Sequence, residues 1–315
     1  MENYLKGSTL GVGTYGTVNM VECRKTGQVF ALKYHKELDD VTVRELSCLA
    51  ALRGHPHVIY MHDCFIADGK IAMLMSYVPY TLSEAIHNGY GWKLYLLHAP
   101  EAYQLIPLSF MAHFSVQVAD ALAYMHRLNM IHRDLTPFNV LLTEDLTVKV
   151  ADMGLSRLSC KLMTPEVVTQ PYRAPELFVE NKQYTATGYT CAIDMWSLGV
   201  LIVDAMEGKA VFSAVNEGEQ VSTYQIILRT LCPEDHPCAP TTRRDPAAIM
   251  PQTMECDLVK RIVFRLLAFC ENERLLAHEL LQDKEWLQVA HMTEEDKNLV
   301  RERIQQHKKK AQKRL

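Results

Sequence analysis

Hydrophobic residues along this chain change their rhythm near residue 78. Before it they form short runs, at 5–10, 17–23 and 29–34, separated by a Gly-rich turn and by Lys25-Thr26-Gly27, which predicts three strands. From 39 to 52 the period lengthens. Val43, Leu46, Leu49 and Ala50 recur at helical spacing, and Asp39 and Asp40 stand where a helix dipole favours acids. Gly54 and Pro56 end that helix. Two further apolar runs, 58–66 and 71–78, are split by Ala67-Asp68-Gly69-Lys70, a hairpin turn. Beyond Pro79 the pattern is mainly helical. Phe110, Phe114, Val118, Ala121 and Met125 make one stripe of a long helix, and 194–206 is apolar nearly all round, which predicts a buried helix. Short strands are expected at 140–142 and 148–151, turn-rich chain from 208 to 257, and another apolar helix from about 258 to 269. The pattern implies a small β-rich unit followed by a larger helical one, with no internal repeat.

Several turns and strand ends carry chemistry. Gly11-Val12-Gly13-Thr14-Tyr15-Gly16-Thr17-Val18 has glycines at its first, third and sixth places. Glycines let backbone N–H groups approach phosphate oxygens with no Cβ in the way. Dinucleotide sites, kinase loops and ordinary hairpins all use this pattern. A strand follows it here, against a Rossmann site, which needs a helix N-terminus. Lys33 ends the third strand, either as an exposed strand-end lysine or as a point charge for α- and β-phosphates, and Glu45 on the next helix is the partner that would hold it. Ile131-His132-Arg133-Asp134-Leu135-Thr136-Pro137-Phe138-Asn139 is the sharpest signal. Asp134 can accept or orient a substrate hydroxyl proton while Asn139 binds a metal. Asp152-Met153-Gly154 comes next, its Asp152 able to complete a Mg²⁺ site, and Ala174-Pro175-Glu176 follows at a spacing suited to a closed activation segment. Order and spacing agree with the protein-kinase set.

Composition narrows the setting. Apolar residues make up 48% and charged residues 22% of 315, with a net charge of −4, so no global field attracts nucleic acid or membrane, and neither is expected as a direct partner. The longest apolar run, 195–203, is too short to span a bilayer, and the first residues carry no signal-peptide core. Nine scattered cysteines without a Cys-x-x-Cys read as reduced thiols in a cytosolic or nuclear protein.

Over residues 4 to about 287 the chain resembles protein kinases, and more narrowly cyclin-dependent kinases. Thr14-Tyr15 in the Gly-rich loop, Arg44-Glu45-Leu46 on the first helix, Glu166-Val167-Val168-Thr169, Tyr172-Arg173-Ala174-Pro175-Glu176 and Asp194-Met195-Trp196-Ser197-Leu198-Gly199 carry the likeness. The resemblance implies an α+β, bilobal kinase fold: an N-lobe over 1–78 with an antiparallel sheet and one helix, a mainly helical C-lobe over 79–287, and a basic tail over 288–315. ATP and Mg²⁺ are the implied cofactors. The implied nucleotide-site residues are Leu10 to Gly16 with Val18, Ala31, Lys33, Glu45, Met75 at the back of the cleft, the hinge Ser76-Tyr77-Val78, and Leu141. Within the loop these are Leu10, Gly11, Val12, Gly13, Thr14, Tyr15 and Gly16. Lys33, Asp134, Asn139 and Asp152 are the implied catalytic residues, with Asn139 and Asp152 on the metal. Glu176 and Arg274 are the implied ion pair behind the activation segment.

The family pattern further implies a serine/threonine kinase, proline-directed through Val168 and Arg173, with a cyclin-like regulatory subunit. It also implies an upstream kinase acting on Thr164, whose phosphate Arg44, Arg133 and Arg157 would receive. Four departures stand out. Thr136 replaces the lysine usually aimed at the γ-phosphate, Pro171 replaces an aromatic, Met153 replaces a Phe, and the 88–105 connection is long. Thr136 keeps open an alternative, a pseudokinase or weakly active scaffold. The end of the chain carries eight Lys or Arg against one acid from residue 297, and its Lys308-Lys309-Lys310-Ala311-Gln312-Lys313-Arg314 run reads either as a nuclear-import signal or as a solvated helical tail.

Overall fold

The first apolar runs become strands β1 (Tyr4–Val12), β2 (Gly16–Cys23) and β3 (Val29–His35) of an antiparallel sheet. The computed structural model describes residues 3–13, 16–37, 39–67, 69–87, 106–158, 169–178, 180–181, 189–214 and 221–312. Helix α1 (Asp40–Ala51) starts where the acids predicted it: Asp39 is the N-cap, and its carboxylate accepts from the Thr42 N–H at 2.8 Å. β4 (Met61–Ala67) and β5 (Lys70–Ser76) complete the sheet in the order β1-β2-β3-β5-β4. Val58, expected as the start of the fourth strand, instead forms a lone parallel bridge to Val150. With Ile59 N donating to Val150 O at 2.9 Å, that bridge stitches the small unit to the large one.

The second unit opens with β6 (Tyr80–Thr81) and the five-residue helix α2 (Leu82–Ile86), whose cap is a reciprocal pair between Thr81 and Glu84. Helix α3 (Leu108–Arg127) buries the whole predicted stripe from Phe110 to Met125. Two small ladders follow: β7 (Met130–Ile131) pairs with the later β10, while β8 (Val140–Leu142) and β9 (Val148–Val150) join β6. β10 spans Arg157–Leu158. Helix α4 (Ala192–Glu207) is buried along all but one of its residues. Its Gly199 is demanded by packing, since a Cβ there would stand 2.8 Å from Leu267 Cδ2.

The turn-rich stretch after 208 hides a helix, α5 (Thr223–Leu231), with Ser222 as N-cap. Its nine residues are too few to stand out among the prolines, and the core face of Tyr224, Ile226 and Ile227 stabilises it. α6 (Pro251–Glu255) precedes α7 (Asp257–Leu266), which ends three residues before the expected stop. α8 (Ala277–Leu280) and α9 (Lys284–Val289) lead to α10 (Glu294–Gln312). Val300 and Ile304 of α10 are buried, and the solvated-tail expectation for the basic run fits the exposed Lys309 and Lys310 but not Lys308, whose Nζ donates to Pro79 O at 2.9 Å. Among the described residues no helix is long and apolar enough to cross a membrane.

The expected Glu176–Arg274 pair is present. Arg274 Nη1 lies 2.6 Å and Nη2 3.0 Å from the two Glu176 oxygens, and both side chains are buried.

Candidate functional site

A cavity of about 1110 Å³ opens where the sheet faces the helical unit. Its upper wall is Leu10, Gly11, Val12 and Gly13 from β1 and its turn, Gly16 and Val18 from β2, and Ala31 and Lys33 from β3. Gly16 has a mechanical reason, since a Cβ there would run into the Tyr34 carbonyl across the ladder. A Cβ on Gly11 would meet nothing within 4 Å, so glycine there keeps the cavity roof open and its backbone bare. Thr14 and Tyr15 lie outside the described residues. Met75, Ser76, Tyr77 and Val78 form the back and side, and Leu141 of β8 the floor.

The deep end is polar. Lys33 Nζ donates to both Glu45 oxygens, at 2.6 and 2.8 Å, and to Asp152 Oδ1 at 3.3 Å. Burial alone would lower the Lys33 ammonium, but the Asp152 and Glu45 carboxylates outweigh it and hold its pKa above the lysine value. Burial pushes the Glu45 carboxyl up against the pull of Lys33. His35 was not singled out in the sequence. Its Nδ1 meets Thr42 Oγ1 at 3.0 Å and its Nε2 stands 3.6 Å from Glu45, pinning α1 to β3 behind the ion pair. Asp152 sits in the left-handed region at φ 59°, a conformation a non-glycine residue adopts only at a cost, and the 3₁₀ turn Met153–Leu155 follows it.

Asp134 and Asn139 face the same space. The Asn139 Nδ2 amide donates to Asp134 Oδ2 at 2.9 Å and to the Asp134 carbonyl at 2.8 Å, which leaves its Oδ1 as an acceptor. Thr169 Oγ1 donates to Asp134 Oδ1 at 3.3 Å. Burial lifts the Asp134 carboxyl above the aspartate range and Asp152 adds to it, while His132 and the Asn139 amide pull back.

The loop that carries these groups is held from below by Asp194 of α4. Asp194 accepts from the His132 and Arg133 N–H groups, each at 2.9 Å, and from His126 Nε2 at 2.9 Å. Burial would lower His126, yet the Asp194 carboxylate raises it to about 9.

All four implied catalytic residues therefore meet in one cavity, with every described residue of the expected nucleotide set. The sequence reading missed Pro79, Tyr80, Thr81, Glu84 and Phe138, and above all Lys308 from the far end of the chain. Lys33 and Lys308 are the cations among the described lining residues. Thr136 is buried and does not line the cavity.

The comparisons with known proteins decide the family. The protein kinase domain matches residues 4–287. This chain belongs to the protein kinase family. Within it, the chain is similar to the cell division control protein 2 homolog 3 of Trypanosoma brucei brucei, 33% identical over 236 residues, which is 72% of this chain and 70% of that protein. The likeness to cyclin-dependent kinases drawn from the motifs thus stands.

Family membership implies ATP and a divalent metal ion, and the residues present fit both. Val18, Ala31 and Leu141 give a flat base apolar faces to lie between. Asp152 and Asn139 are oxygen donors of the kind a hard divalent cation takes, and Lys33 supplies a fixed ammonium for phosphate oxygens.

Proposed function

We propose that this protein is a serine/threonine kinase that transfers the ATP γ-phosphoryl group, with Mg²⁺ bound, to Ser/Thr-Pro sites of protein substrates. A cyclin-like subunit and phosphorylation at Thr164 control it. The observation that carries the reading is the meeting of Lys33, Asp134, Asn139 and Asp152 at the deep end of one cavity, each already tied to a second residue. Such a site works by positioning and charge rather than by covalent chemistry. Lys33, fixed by Glu45, holds α- and β-phosphate oxygens. Asn139 and Asp152 hold Mg²⁺, which when bound neutralises charge on the phosphates. Asp134 orients the substrate hydroxyl and takes its proton as the new O–P bond forms and the bond to the ADP oxygen breaks. Thr169 and Asn139 fix one Asp134 oxygen each, and burial makes that carboxylate a better proton acceptor than a solvated aspartate.

The serine/threonine class is supported by Thr169 beside Asp134, and the cyclin-like subunit by the likeness of the Arg44-Glu45-Leu46 segment of α1 to cyclin-dependent kinases. Thr164 lies outside the described residues, as do Val168 and the 88–105 connection. Support for the phosphate switch comes from its receptor. Burial lowers the Arg133 guanidinium, Tyr189 opposes it, and Arg157 and Arg44 lower it further, while among the described residues the buried Arg133 Nε has no hydrogen-bond partner. Arg133 with Arg157 and Arg44 close enough to act on its charge suits a doubly charged phosphate.

Purified chain, with and without a cyclin, is to be given ATP and a Ser-Pro protein substrate after treatment with an activating kinase. Phosphate on substrate serine, lowered in Thr164→Ala, is expected. ATP binding with no transfer under any of these conditions would instead favour the partner-binding scaffold.

A further inference from the structure

Helix α10 begins beyond the residues that match the protein kinase domain, which end at 287. It nonetheless reaches the nucleotide cavity. The helix starts with a reciprocal cap between Thr293 and Asp296 and keeps Val300 and Ile304 buried. Its basic residues then engage the turn between β8 and β9 first and the segment that leaves the hinge after it. Arg301 Nε donates to the Glu144 carbonyl at 3.0 Å. Arg303 Nη2 donates to Ile86 O at 3.2 Å, and His307 Nδ1 to His87 O at 3.1 Å. Those two carbonyls lie at the end of α2, where the helix itself supplies no donor. Lys308 comes last. Its Nζ donates to Pro79 O at 2.9 Å, lies 4.5 Å from the centre of the Tyr80 ring and stands 3.9 Å from Glu84 Oε1. Pro79, Tyr80 and Glu84 all line the cavity, and so does Lys308 itself.

We infer that Lys308 is a positioning residue of the nucleotide site. It fixes the turn from Pro79 to Glu84 and so sets the affinity for ATP rather than the rate of phosphoryl transfer. The inference rests on the nucleotide-site reading above. The geometry divides the labour. Thr81 and Glu84 are bound in the α2 cap, and Tyr80 pairs with Leu142 in the ladder, so the turn is held on its inner side. Pro79 gives no N–H to that ladder, and Lys308 is the group that engages its carbonyl from outside. The Lys308–Glu84 ion pair is half exposed and 3.9 Å long, so it adds little. The hydrogen bond to a carbonyl and the cation over the Tyr80 face supply most of the hold. The Lys308 charge on the cavity rim further favours a polyanionic ligand.

The test uses the full chain and Mg²⁺-ATP. In Lys308→Ala, the dissociation constant and KM for ATP should rise about fivefold, with kcat within about twofold. The amides of 80–87 should exchange hydrogen faster in the nucleotide-free protein. Lys308→Arg should restore ATP affinity, because guanidinium can make the same donor and ring contacts. Lys309→Ala, on an exposed neighbour, should change nothing. His307→Ala, which loosens the same seam without reaching the cavity, should give a smaller rise in KM. ATP affinity in Lys308→Ala equal to that of the unaltered chain, or an equal loss in Lys309→Ala, would overturn the inference. If the unaltered chain binds ATP but transfers no phosphate, the kinase reading fails while the binding comparison still decides the role of Lys308. If it binds no ATP, both readings fall.

Discussion

Lys33 and Glu45 meet at 2.6 Å under the sheet, and Arg274 and Glu176 meet at 2.6 Å inside the helical unit. Both pairs are buried, yet their surroundings differ. Arg274 spends all five of its N–H donors. Two go to the Glu176 oxygens, and the others to the carbonyls of Ala192 at 3.0 Å, Ala268 at 3.1 Å and Phe269 at 3.5 Å. Its guanidinium also lies 5.2 Å from the Trp196 ring centre. Nothing is left to offer a ligand. Lys33 shares its ammonium between Glu45 and Asp152, and Asp152 stands on the cavity with its side chain 42% exposed. A planar fork with every donor used is a lock. A point charge bridging a buried carboxylate and one on the cavity is a handle for phosphate. Pairing alone therefore does not separate structural from functional charges; what differs is that one partner of Lys33, the Asp152 carboxylate, stands on the open cavity.

Breaking the lock should give the largest effect. Arg274→Met leaves Glu176 buried and unpaired, and a loss of about 3–5 kcal/mol of stability is expected by denaturant unfolding. A change below about 1 kcal/mol would remove the contrast. Breaking the handle should act on activity instead. Lys33→Met is expected to lower phosphoryl transfer by about a hundredfold or more. Near-normal transfer by Lys33→Met would contradict the distinction.

A third experiment asks how firmly the loop beneath the handle is anchored. Folded His126 keeps its proton to about pH 9, whereas an unfolded histidine releases it near pH 6.5. Its bond to Asp194 therefore contributes fully below about pH 6.5 and is lost as the pH rises through about 9. Unfolding midpoints of unaltered chain and His126→Gln should differ most at pH 6 and converge above pH 9; a constant difference would mean that His126 acts without its charge. The smallest effect concerns the missing lysine. Thr136→Lys should raise kcat a few-fold with less change in ATP affinity, because the new charge would act on the moving phosphoryl group. An unchanged or lower kcat would assign Thr136 a packing role, in line with its burial.

The catalytic contrast was legible in the sequence because its residues sit in short motifs whose spacing is fixed by the strands and turns around them. Lys33, Glu45, Asp134, Asn139 and Asp152 could be numbered before any coordinates, and so could Glu176 with Arg274. Three features were not. Helix α5 is too short for its period to rise above the surrounding prolines. His35 reads as one more residue on a strand, and only the fold turns it toward Glu45. Lys308 meets Pro79 across 229 positions of chain, and a run of lysines looks the same whether it is solvated or docked. Local spacing carries motif chemistry, whereas contacts made by tertiary docking leave no local period to read.

The cavity holding Lys33, Asp134, Asn139 and Asp152 is proposed to transfer phosphate with Asp134 as the proton acceptor. Single-turnover transfer of the γ-phosphate to a protein substrate, measured with ATP affinity on the same samples, tests it most directly. With its regulatory subunit bound, the unaltered chain should transfer phosphate. Asp134→Asn should be slower by about a hundredfold or more, with ATP affinity within about twofold. Equal rates in the two, or no transfer by the unaltered chain at saturating ATP, would contradict the account.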